Sequence, residues 1–158
     1  MKLRKKVITR NYYQVEPKHD WLKYLRVVRY WVLRAHKLSY PEFEMMLFLY
    51  SEGLFSERDF EKFERIMSWS PKRLEKLIDK GWINIWRHKE KNECAMYTMS
   101  FKGKKLMDSV YKKLRGEDLI SVSPAANPIF RKDAGYMDRG YQKMIKEMNE
   151  AVKKARMG

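Results

Sequence analysis

The sequence predicts a mainly α fold carrying one small β-hairpin, and three observations predict it. Apolar residues recur at helical spacing in six separate stretches between positions 20 and 156. Strand-like alternation appears only over 83–87 and 95–99, with a polar basic tip between them. Glycine, serine or proline marks the joins, so the helices are short and bounded rather than one long coil.

The elements follow in order. Residues 1–19 form a basic N-terminal arm with interleaved Tyr12 and Tyr13. Asp20 caps a first helix over 20–37, in which Lys23, Arg26, Arg29, Arg34 and Lys37 fall roughly on one face. Trp21, Leu25, Val28, Trp31, Val32 and Ala35 fill the others. A helix apolar over so much of its circumference is buried on several sides, which predicts either a subunit interface or a central helix inside one monomer. Ser39-Tyr40-Pro41-Glu42 has the spacing of a capping box and opens a second helix through Phe43, Met46, Leu47 and Tyr50 to Gly53. Ser56 opens a third, with Phe60, Phe63 and Met67 as its core stripe.

After a turn at 68–70, Ser70-Pro71 starts a short basic helix over 71–80 that stops at Gly81. Leu74, Leu77 and Ile78 face inward, while Lys72, Arg73, Lys76 and Lys80 stay outside. Two strands flank the tip 88–93, and Ser100 caps a helix running to Gly116. This order of helix, glycine stop and basic hairpin describes a winged helix-turn-helix: one helix suited to a DNA major groove and a hairpin suited to the flanking backbone. Residues 117–135 read as an extended connection pinned by Leu119, Ile120, Val122, Ile129 and Phe130. Residues 136–158 read as a C-terminal amphipathic helix with the stripe Met137, Tyr141, Met144, Ile145, Met148 and Val152.

Charge narrows the partner. The chain of 158 residues carries a formal net charge of +15. Residues 1–37 hold 11 Lys/Arg against 2 Asp/Glu and residues 69–113 hold 12 against 5, whereas residues 38–68 hold 3 against 7. Cations concentrated in two regions favour a polyanion, because each neutralised phosphate releases condensed counterions. No apolar run is long enough to span a membrane. Cys94 is the sole cysteine, which excludes an internal disulfide and fits a reducing compartment. The expected location is cytoplasmic, at the nucleoid, or the host cytoplasm if the chain is viral.

Candidate DNA contacts follow from position. Ser68 and Ser70 stand where a helix N-terminus binds phosphate. Lys72, Arg73 and Lys76 are the groove residues, and Arg73 is the one suited to bidentate contact with guanine. Arg87, His88, Lys89 and Lys91 are the wing contacts. Trp86 is expected to pack beneath the wing. Trp21, Leu25, Val28, Trp31 and Val32, with the six residues of the C-terminal stripe, are the expected dimer seam. His19, His36 and His88 lack metal-ligand spacing with one another or with Cys94, and there is neither a phosphate-binding glycine loop nor a nucleophile elbow. Neither an enzymatic activity nor a cofactor is expected.

Two patches carry a family resemblance: Leu77-Ile78-Asp79-Lys80-Gly81-Trp82-Ile83, and the run from Tyr97 to Leu106. They resemble the exit from the recognition helix and the second wing strand of MarR-family winged helix-turn-helix regulators, over roughly residues 20–116. PadR-like regulators share the same class. The resemblance implies a homodimer clasped by its terminal helices, bound to pseudo-palindromic double-stranded DNA. The tip reads Lys89-Glu90-Lys91-Asn92-Glu93 where that family usually carries an Asp-x-Arg pattern. Together with the arm and the connection, this motivates a second reading: an adaptor that docks on a larger assembly such as RNA polymerase or a virion-type complex, with a protein partner held by the 117–158 tail.

Overall fold

The computed structural model describes residues 19–158. Six α-helices and a three-stranded antiparallel sheet make up the described chain: α1 (Trp21–His36), α2 (Tyr40–Glu52), β1 (Phe55–Ser56), α3 (Glu57–Met67), α4 (Pro71–Asp79), β2 (Ile83–Arg87), β3 (Met96–Met99), α5 (Phe101–Leu114) and α6 (Tyr136–Met157). The fold is therefore mainly helical with a small sheet, an arrangement compatible with a winged helix. The basic arm 1–19 lies outside the described residues except for His19.

Local chemistry explains the boundaries. The Asp20 carboxylate accepts the Lys23 N–H, Ser39 accepts that of Glu42, and Ser100 accepts that of Gly103. Ser56 and Asp59 form a complete capping box at the start of α3. Lys37 and Ser68 end α1 and α3 in the left-handed conformation.

The strand order is β1-β3-β2. Sequence periodicity does not reveal β1, because two residues are too few to alternate. It exists through partners: Phe55 pairs with Tyr97 and Ser56 with Met96. That pairing ties the α2–α3 junction to the hairpin.

α1 is the central helix, contacting α2, α5, α6 and the 3-10 turn Pro128–Phe130. This corrects the interface expectation for several residues. Val28, Trp31 and Val32 are buried inside the chain, as are Ile145, Met148 and Val152 of α6, and Tyr141 stacks on Tyr30 with centroids 4.0 Å apart. The six buried residues are covered within one protomer and are not open to a second copy, whereas Tyr141 is part-buried and borders a surface cleft with Met137 and Met144. Trp21, Leu25, Met137 and Met144 remain exposed.

Residues 117–135 are bound to the body at Glu117, Ile120 and Ile129, with 121–126 exposed between. The Asn149 side chain holds Ile120 through both backbone groups, at 2.9 and 2.8 Å. Asn127, fully buried, bridges Ser121 and Ile129, and Gln142 donates to the Ile129 carbonyl. Ile120 and Ile129 pin the connection as expected, but Val122 is exposed. α6 is locked to α1 by Asp138, which accepts hydrogen bonds from Tyr30 Oη and from Arg34 at 3.0 Å. The 117–158 tail is thus a structural layer of the fold.

Candidate nucleic-acid interface

The turn between α3 and α4 is set by Trp69. This buried residue packs against Phe48 and Phe60, and its Nε1 donates to Glu44 at 3.3 Å. The anchor holds α4 against the core through Leu74 and Leu77 and turns its opposite side outward. With 3.6 residues per turn, Lys72, Lys76 and Asp79 centre the outward face. Arg73 and Lys80 lie on one flank, Glu75 on the other.

Lys72 and Lys76 are exposed and Arg73 is half-buried. Among the described residues none of the three makes an ion pair. Lys80 differs: it bonds both Glu42 carboxylate oxygens, at 3.0 and 3.3 Å. Burial alone would raise the Glu42 carboxyl, but the bonds from Lys80 and Ser39 outweigh it and hold that group below the usual range. Lys80 is therefore a brace between α4 and α2.

The two serines differ as well. Ser70 is the N-cap of α4, extended, with no side-chain cap hydrogen bond. Its hydroxyl stands beside the first turn without a local duty. Ser68 instead terminates α3 in the left-handed conformation. It is the end of one helix rather than the start of the next, which corrects its assignment as an N-terminal phosphate ligand.

In the hairpin, Ile83 pairs with Met99 and Ile85 with Tyr97, then a bulge at Trp86 shifts the register so that Arg87 faces Met96. The structure reverses the expected role of Trp86. It is 59% exposed on the wing rather than packed beneath it, beside a partly exposed Ile85. Trp86 lies on the same strand face as exposed Asn84, opposite buried Ile83, as a two-residue period requires.

Arg87 is half-buried and spans the hairpin, donating to the Cys94 carbonyl at 3.1 Å and pairing with Glu93 at 3.4 Å. Arg87, expected as a wing contact to phosphate or the minor groove, thus has part of its guanidinium engaged within the wing. His88, Lys89 and Lys91 are exposed. Glu90 and Glu93 exchange backbone hydrogen bonds, so Lys91-Asn92 forms the tip. Lys89 and Lys91 line a cleft of about 470 Å³ that also holds Glu57, Arg58 and Glu61 of α3, and no α4 residue takes part. A second cleft, between α3, α4 and β3, gathers Glu57, Glu61, Glu64 and Glu75. Burial and neighbouring Glu61 push the Glu64 carboxyl up. The α4 cations and the wing cations are thus both solvent-facing, with an acidic seam on the Glu75 side of α4.

Three outward groups escape sequence reasoning. Trp86 is one. Phe101, 82% exposed, opens α5 beside the exposed Lys102, Lys104 and Lys105. Lys102 sits 4.0 Å from the Trp82 ring centroid and donates to the Lys80 carbonyl, which sets this basic cluster against the end of α4. The run Phe101-Lys102-Gly103-Lys104-Lys105 carries the signal, but its periodicity reads first as a helix start.

No helix among the described residues is long and apolar enough to cross a membrane. Compared with protein-family models, with curated proteins and with solved structures, the chain matches none.

Proposed function

We propose that this chain is a winged-helix, MarR-like, double-stranded DNA-binding transcriptional regulator that acts as a homodimer in the cytoplasm. One observation carries the reading: α4 follows α2, β1 and α3, precedes a hairpin joined to β1 in the order β1-β3-β2, and presents Lys72 and Lys76 to solvent without ion-pair partners. That element order is the winged-helix order, with α4 in the recognition position. Lys72, Arg73 and Lys76 enter the major groove, Ser70 meets a phosphate at the helix start, and His88, Lys89 and Lys91 grip the adjoining backbone. Trp21, Leu25, Met137 and Met144 supply the apolar part of the dimer contact.

The test is binding to random duplex DNA across a salt titration, followed by footprinting. Affinity falls steeply with salt, and protected half-sites lie about one helical turn apart. Charge reversal at Arg73 and Lys76 abolishes binding while circular dichroism stays unchanged. No protected duplex at low salt would refute the proposal.

A second reading, a winged-helix adaptor docking on an assembly, draws on the mixed charge of the wing and on exposed Trp86 and Phe101. A stoichiometric protein partner that survives nuclease treatment and is lost in Trp86→Ala supports it.

A further inference from the structure

The start of α5 carries cations and an aromatic ring that the fold leaves on the surface. Phe101, Lys102 and Lys105 are exposed there. They rim a groove of about 560 Å³ whose floor is Trp31 of α1, Trp82 and Leu106, all buried. His36 and Ser109 complete its lining, and no carboxylate belongs to it. Lone exposed aromatics are ordinary on a protein surface, but Phe101 borders a continuous apolar floor.

The charge of the groove is unbalanced. Lys102 stands 4.0 Å from the Trp82 ring centroid and donates to the Lys80 carbonyl. Neither Lys102 nor Lys105 pairs with a described carboxylate. The positive field reaches inward: burial first, and then Lys102 and Lys113, hold the His36 imidazole below its usual range. Lys102 and Lys105 lie about 4.5 Å apart along the α5 axis, a spacing that carboxylates three or four residues apart on a facing helix match. Apolar floor and cationic rim together fit an amphipathic helix, which lays its anchors into a groove while its charges meet the edge. The N-terminal arm carries the wrong sign to fill it, with six Lys/Arg against one Glu over residues 1–18.

We propose that this groove between α1, Trp82 and the start of α5 docks an acidic amphipathic segment of a partner protein. A bulky apolar anchor enters between Trp31, Trp82 and Leu106, and the segment's carboxylates meet Lys102 and Lys105. None of the lining residues belongs to α4 or to the β2–β3 hairpin, so the proposal stands or falls separately from DNA binding.

The test titrates the ¹⁵N-labelled full chain with three acetylated helical peptides of Glu and Leu, whose central anchor is Trp, Phe or Leu, and follows shifts by NMR. Controls carry Gln for every Glu, or Ala at the anchor. At least one acidic peptide gives saturable shifts at Phe101, Lys105 and the indole Nε1–H of Trp31 and Trp82. Both of its controls bind about tenfold more weakly or not at all. Lys105→Glu weakens that peptide by about tenfold or more and Phe101→Ala by about threefold or more, with Tm unchanged because both side chains are exposed. Lys105→Arg, which keeps the charge, retains wild-type affinity. Absence of saturable shifts for all three peptides, shifts centred on α4 instead of the groove, or wild-type affinity in Lys105→Glu would overturn the proposal. So would displacement of the peptide by a single-stranded oligonucleotide that shifts the same residues, which would assign the groove to nucleic acid. A doubled solution mass that Lys105→Glu halves would overturn it as well, by assigning the groove to a second copy of the chain.

Discussion

Two buried carboxylates hold the helical layers together. Glu42 is buried in α2 and receives Lys80 from the end of α4. Lys80→Ala leaves that carboxylate with only Ser39 and should cost about 1–3 kcal/mol in chemical denaturation. Because the folded state holds the Glu42 carboxyl below its ordinary value of 4.5, the stabilisation is present above that pH and lost as pH falls through the depressed value. The difference between wild type and Lys80→Ala should therefore shrink as pH falls below 4.5 and through the depressed value. Asp138 does the corresponding work between α6 and α1. Burial first, and then the bond to Asp138, push the Tyr30 phenol up from 10.0 to about 12. A raised acid contributes stability in its protonated form, fully present below pH 10 and lost as pH rises toward 12. Tyr30→Phe should lower stability by about 1–2 kcal/mol at neutral pH and flatten its decline above pH 10, read from urea midpoints.

At the scale of elements, two glycines in helices behave oppositely. A Cβ on Gly103 would come within 2.6 Å of Met99 Cγ and 2.7 Å of the Trp82 carbonyl oxygen. The glycine lets α5 approach the base of the hairpin. Gly103→Ala should cost about 1–3 kcal/mol although alanine is the better helix former. Gly140 in α6 has open space around it, so Gly140→Ala should stabilise by about 0.5–1 kcal/mol, both read from Tm and urea midpoints. The six helices and both wing strands are legible in the sequence because caps and stripes are local signals, as Ser39, Ser56 and Ser100 show. What is illegible depends on distant partners. β1 exists only through β3, and Arg87 is engaged only because Glu93 and the Cys94 carbonyl face it. The apolar stripe of α6 is read correctly as a stripe. What covers it, α1 of the same chain, is a tertiary fact that periodicity does not carry.

At the scale of the whole molecule, burial separates the residues that fold the chain from those left exposed. α1 and α6 run antiparallel, with Lys23 meeting Glu147 at 3.2 Å near one end and Arg34 meeting Asp138 near the other. On this helix pair Trp21, Leu25, Met137 and Met144 remain exposed. Met137→Glu with Met144→Glu should reduce the solution mass to that of a protomer with Tm nearly unchanged, whereas Ile145→Ala should lower Tm by removing core volume. On the proposed DNA-binding reading, the salt dependence of that binding counts protomers independently. Each phosphate neutralised contributes about 0.9 to the slope of log K against log salt. A monomer losing Lys76 loses one such contact, but a two-fold dimer loses two, so Lys76→Ala should flatten the slope by nearly 2 in the dimer and by about 1 in the Met137→Glu/Met144→Glu variant. Equal flattening in both would mean that one copy binds the duplex alone. The exposed apolar residues of α1 and α6 would then serve some contact other than self-association on DNA.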